Sequence, residues 1–147
     1  MTVWVVVSIL ALVLSPLAWL RPSRGQSGKM ACRLRARQLG LAMQLAPQQW
    51  PHWLNSEAPS PCAQYHRARL EQQKAGWSYW QSAPGEWVNQ WREACPDPAI
   101  AAILAHLPLD AYKVEADKGM VALYWGERGG PDTVVHIKDA LAKLASH

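Results

Sequence analysis

The first hydrophobic feature of the chain is an uncharged run. Val3 to Leu20 is apolar apart from Ser8, Ser15 and Pro16, has no polar face over four turns, and as a helix would rise about 27 Å. That length predicts a transmembrane helix, with residues 1–20 as the anchor. Trp4 and Trp19 stand near its ends, where indole rings suit the headgroup level, and Pro16 lies close enough to the helix end to cost little. With no basic segment ahead of it and no small-x-small motif behind it, the run reads as a retained signal-anchor.

Basic positions follow at helical spacing. Lys29, Arg33 and Arg37 are four apart and would form one stripe, flanked by Met30 and Leu34 and stopped at Gly40. Arg21 to Gly28 supplies Pro, Gly and Ser as a hinge, so residues 21–40 read as a basic juxtamembrane linker and helix. Arg21, Arg24, Lys29, Arg33, Arg35 and Arg37 all follow the apolar run. The positive-inside rule then places the N-terminus outside and the C-terminal domain in the cytoplasm, at a bacterial inner membrane. Trp4, Trp19, Arg21, Arg24, Lys29, Arg33 and Arg37 are the expected membrane-interface residues, with the lipid bilayer as partner. Enforcing topology suffices to explain the charges; attraction to anionic headgroups is the functional alternative.

Residues 41–147 alternate between two periods. Leu41, Met43 and Leu45 predict a short strand ended by Pro47. Residues 48–61 read as a loop whose Trp50 and Trp53 either cover the core or touch the membrane, core cover being favoured. Cys62–Leu70 and Gly76–Gln81 predict two strands paired as a hairpin, and Trp87 and Trp91 would share a helical face, although Pro84-Gly85 before them also permits an irregular segment. Asp97-Pro98 predicts a helix start, with Ile100, Ile103, Leu104 and Leu107 buried and Pro108 closing it. Tyr112, Val114 and Ala116 alternate with Lys113, Glu115 and Asp117 as a half-buried strand. Met120–Trp125, apolar on both faces, returns as a central one. Val134, Ile137, Leu141 and Leu144 mark a final amphipathic helix from Asp132. The expected fold is α+β: an N-terminal transmembrane helix, then a small domain with an antiparallel or mixed sheet packed by about three helices.

Charge refines this picture. The net charge is +4, yet nine Lys or Arg face eleven Asp or Glu from Gln38 onward, so the basic excess belongs to residues 21–37 and nucleic acid is not an expected partner. Nine Trp, four Tyr and no Phe give nearly every ring a polar NH or OH, which favours boundaries between apolar and wet regions.

Candidate chemistry is sparse. Cys32, Cys62 and Cys95 lack metal-ligand spacing, although an oxidising compartment would allow a Cys62–Cys95 disulfide. Glu86, Glu93 and Asp97 beside Trp87 and Trp91 suggest paired carboxylates near stacking rings, against a solvated acidic face. Gly126-Glu127-Arg128-Gly129-Gly130 lacks the phosphate-loop lysine and reads as a surface turn. His136 has no implied nucleophile. No catalytic, cofactor-binding or metal-ligating residue is assigned, and no cofactor is expected.

Trp19-Leu20-Arg21-Pro22-Ser23, the arginine-rich helix ending Gln38-Leu39-Gly40-Leu41, and Tyr124-Trp125-Gly126-Glu127 together resemble a group of small proteobacterial single-pass membrane proteins of unassigned function. Some of these are labelled YajC-like accessory subunits of the preprotein translocase. The anchor, the basic collar and the lack of catalytic motifs point to a membrane-anchored, non-enzymatic accessory or adaptor protein with a protein partner in the membrane. The competing functions are an envelope-facing, aromatic-rich binding module for glycan or peptide, and a membrane-tethered enzyme.

Overall fold

Ten elements follow one another in the computed structural model: α1 (Thr2–Trp19), α2 (Arg24–Gln38), β1 (Ala42–Ala46), β2 (Cys62–Ala68), β3 (Trp77–Ala83), β4 (Glu86–Val88), α3 (Pro98–Ala105), β5 (Ala111–Ala116), β6 (Met120–Trp125) and α4 (Pro131–Leu144). The structure describes residues 1–19, 24–54, 58–70, 75–117 and 119–147, with side chains in the first two helices described up to Leu14 and again from Gly28.

The strands form one six-stranded sheet in the order β1-β2-β6-β5-β3-β4, antiparallel at every step. Apolar on both faces, β6 takes the interior position its sequence predicts, and Asp117 turns β5 into it by accepting the backbone N–H groups of Gly119 and Met120 at 2.8 Å each. The expected hairpin between β2 and β3 does not form, because β6 and β5 lie between them. A strand apolar on both sides gains more from two neighbours than from one, and β6 separates the pair. Arg69, 3% exposed, secures the crossing: its guanidinium donates to the carbonyls of Ala75, Asp117 and His147. Gly76 is needed there, since a Cβ would lie 2.8 Å from the Ala116 carbonyl oxygen.

Helices α2, α3 and α4 share one side of the sheet. Tyr65, Tyr79, Val114, Val121, Leu123 and Trp125 from the strands meet Ile100, Leu104, Val134, Ile137, Leu141 and Leu144 in a single core. Asp97 caps α3 by accepting the Ala99 N–H at 2.9 Å, with Pro98 in the first turn. α2 starts at Arg24, inside the expected hinge, and buries Cys32 and Ala36 in the same core. Gly40 (φ 76°) then reverses the chain into β1.

A second, smaller cluster lies apart from this core: Cys62, Tyr112, Ala122 and Tyr124, with Trp50 of the 47–61 loop packed against it. Tyr112 belongs there because the β5–β6 register shifts between Ala111 and Lys113. The bulge moves Tyr112 off the side that strict alternation gives it with Val114 and Ala116.

The apolar run does form a helix, α1, and the large apolar side chains described between Val3 and Leu14 are exposed. Among the described residues, however, no helix is long and apolar enough to cross a membrane. This corrects the expectation of a fold headed by a transmembrane helix. With it go the signal-anchor, the lipid bilayer and a partner within it, and the inner-membrane location with an outer N-terminus. What stands in its place is an α+β fold of four helices and a six-stranded sheet among the described residues.

Candidate binding surface

On β3, Trp77 and Tyr79 join the main core, so Trp80 faces the other way under strand alternation. Trp53 from the 47–61 loop stands edge-on to Trp80, with ring centroids 6.1 Å apart, and the Arg92 guanidinium lies 5.8 Å from the Trp53 ring. Lys113 on β5 places its ammonium 5.2 Å from Trp80 and 5.3 Å from Tyr124. Trp50 meets Tyr112 and Tyr124 edge-on at 5.7 and 6.3 Å. The result is a continuous band of alternating rings and cations on the sheet side opposite the helices.

Polar side chains accompany the band. Gln44 donates to Gln64, Gln64 to the Tyr124 hydroxyl, and Tyr124 to Glu115. Glu115 also pairs with Lys113 at 3.0 Å, whose ammonium reaches the Gln48 side-chain oxygen at 3.4 Å. Gln44 is exposed and Trp50, Trp53, Lys113 and Glu115 are half-buried, while Gln64 and Tyr124 form the floor. Burial, reinforced by the hydrogen bond to Glu115, pushes the Tyr124 phenol well above its ordinary value. The hydroxyl therefore stays protonated.

Where the band reaches β4, Trp91 projects 70% exposed from a closely bonded turn. The Asn89 side chain accepts the N–H groups of Trp91 and Glu93 at 3.0 and 2.9 Å, and Arg92 takes a left-handed φ of 63°. The expected shared face of Trp87 and Trp91 is absent, because Trp87 sits buried in β4. Of Glu86, Glu93 and Asp97, Asp97 caps α3 and Glu93 accepts from the Asn89 side chain.

The Gly126–Gly130 segment holds a residue that its glycine-rich composition concealed. Glu127, 4% exposed, lies at φ 56°. Its carboxylate accepts from Arg33 Nε at 3.0 Å and Nη2 at 2.9 Å, and from the Tyr65 hydroxyl at 2.8 Å, while the Cys32 thiol donates to the Gly129 carbonyl at 3.1 Å. Arg33, expected at a membrane interface, is thus the bidentate partner that fastens α2 to the domain. Among the other expected interface residues, Trp4, Lys29 and Arg37 are exposed; Trp19 and Arg24 lie in α1 and α2, and Arg21 falls outside the described residues. A buried acid opposite an arginine 94 positions away leaves no local signal beyond an isolated Glu among glycines. His136 is exposed near the start of α4, no disulfide joins Cys62 to Cys95, and among the described residues no group of three ligating side chains could hold a metal ion.

These buried acids make stability sensitive to alkali. Burial pushes the Cys62 thiol from 9.0 up to about 11 and the Tyr79 phenol from 10.0 up to about 12, and raises Cys32, Tyr65 and Tyr112 as well. For an acid whose folded value exceeds its unfolded value, the stabilisation is complete below the unfolded value and disappears as pH rises through the folded one. Stability should accordingly be level near neutrality, then fall as the pH rises from 9 towards 12. Urea midpoints measured against pH check this; a flat profile to pH 12 would contradict it.

No known protein family, curated protein or solved structure matches this chain. The resemblance to anchored proteobacterial proteins and YajC-like subunits is therefore corrected: no match supports it, and the membrane-crossing helix it relied on is not found among the described residues.

Proposed function

We infer that this protein is a binding module that takes an extended glycan across the aromatic side of its sheet. The observation that carries the reading is the ring-and-cation band from Arg92 through Trp53, Trp80 and Lys113 to Tyr124 and Trp50. A pyranose offers an apolar C–H face that packs on an aromatic ring and a hydroxyl rim that hydrogen-bonds to amides and carboxylates. The half-buried Trp50 and Trp53 supply rings, and Gln44, Gln48 and Glu115 stand among them with acceptors and donors. The membrane-anchored adaptor reading loses its basis with the correction of the anchor, whereas this reading needs no membrane.

Titrating the full chain with a panel of neutral and acidic oligosaccharides, followed by tryptophan fluorescence and calorimetry, tests the inference. At least one member should bind and shift the emission. Trp53→Ala should weaken that binding at least about tenfold, or about 1.4 kcal/mol, while leaving the circular dichroism spectrum unchanged. Absence of binding across the panel, or equal affinity in a folded Trp53→Ala variant, would overturn the assignment.

A further inference from the structure

We propose that the β1 edge of the sheet and the basic cleft at its start capture the acidic C-terminus of an extended peptide, which adds to the sheet as a seventh strand antiparallel to β1. This surface is separate from the aromatic band, and the two proposals stand independently.

The two sheet edges are treated differently. β4 is a three-residue strand whose Val88 makes a bridge to Ala94 on the following turn, a short, covered edge of the protected kind. β1 is longer and pairs with β2 alone. Among the described residues no loop or turn bonds to the backbone of Ala42–Ala46. Ala42, Gln44 and Leu45 are exposed, and neither a charge nor a proline interrupts the strand. An edge strand turns half of its N–H and C=O groups outward, a ready template for a further strand.

The cleft says what that strand should carry. Leu39–Ala42, His66, Arg67, Met120 and Lys138 are among the residues that line a space of about 670 Å³ where β1 begins, and its described lining includes no acid. Arg67 and Lys138 are half-buried, and neither is engaged in an ion pair among the described residues. Two cations beside a strand edge suit carboxylates. Antiparallel pairing, the more stable arrangement, brings the C-terminal end of an added peptide to Ala42 and hence to the cleft. A second copy of this chain fits less well: paired antiparallel through β1, it would bring Ala46-Pro47-Gln48-Gln49 there, a stretch with no carboxylate.

The test uses the full chain and a fluorescent peptide of alternating valine and threonine that ends in two glutamates and a free carboxylate, read by anisotropy. Binding is expected. It should weaken at least about tenfold when the glutamates move to the N-terminal end, when alternate backbone nitrogens are methylated, and when the protein carries Arg67→Gln with Lys138→Gln. The peptide changes leave the protein untouched, so failure of a variant to fold cannot mimic the result. Equal affinity for the methylated peptide, for the reversed peptide or by the folded double variant would overturn the proposal, as would a stable dimer blocked by Leu45→Lys.

Discussion

Replacing Glu127 with alanine is expected to lower the free energy of unfolding by about 2–3 kcal/mol, the cost of losing hydrogen bonds to a charged group and leaving a buried donor without its acceptor, and to loosen α2. The Glu127 side chain is 2% exposed, whereas Arg33 retains 36%, so most of the desolvation has been imposed on the carboxylate, whose return is two guanidinium bonds and one phenol bond. Without it, Arg33 can turn to water, but the Tyr65 hydroxyl, in a residue with no exposure, keeps a buried donor without its acceptor. Cys32 and Ala36 pack in the core on the same helix, so the loss should spread along α2 while α4 stays protected. Urea unfolding gives the magnitude and amide exchange its location. A loss under about 1 kcal/mol, with α2 exchanging as slowly as α4, would show that the pair is incidental. Glu127→Gln, able to accept from Tyr65 but not to pair in charge with Arg33, should fall between.

Trp125→Ala should cost more, about 3–5 kcal/mol, by a different route. Trp125 is 1% exposed on the interior strand β6, stands edge-on to Tyr65 with ring centroids 5.3 Å apart at 88°, and is paired with Ala63 and Ala111 on either side. Both cross-strand neighbours are small and cannot fill the space the indole leaves. Its buried N–H has no hydrogen-bond partner among the described residues, which identifies the indole as a source of apolar area. Trp125→Phe, which keeps a ring and discards the unpaired donor, should therefore cost less than half as much as alanine. A phenylalanine variant as unstable as the alanine one in chemical denaturation would mean that the N–H matters after all.

The same unpaired nitrogens show where composition misleads. Nine Trp and four Tyr suggest rings placed at wet boundaries, yet Trp77, Trp80, Trp87 and Trp125 all bury N–H groups that lack partners among the described residues. Ring volume decided those positions. The aromatic band was legible only in part: Trp50 and Trp53 were expected to cover the core, and Trp50 does pack on its smaller cluster. Lys113 between Trp80 and Tyr124, and Arg92 over Trp53, could not be read from positions so far apart in the chain. Arg33 misled in another way, since a helical stripe of basic residues looks the same whether it meets headgroups or a buried carboxylate.

By itself the sequence determined what depends on a few consecutive residues. The Asp97 cap of α3, the stripe of Val134, Ile137, Leu141 and Leu144 on α4, the left-handed stop at Gly40 and the two-sided apolar character of β6 are all local, set by dihedral preference, capping and periodicity. Only the tertiary structure decided which strands pair, on which side Tyr112 falls, and that Arg33 meets Glu127. A local pattern specifies an element and its apolar side but not its neighbour. Choosing the neighbour is a competition among distant segments for the same buried surface, and here β6 and β5 took the place between β2 and β3 that adjacency in sequence would have left closed.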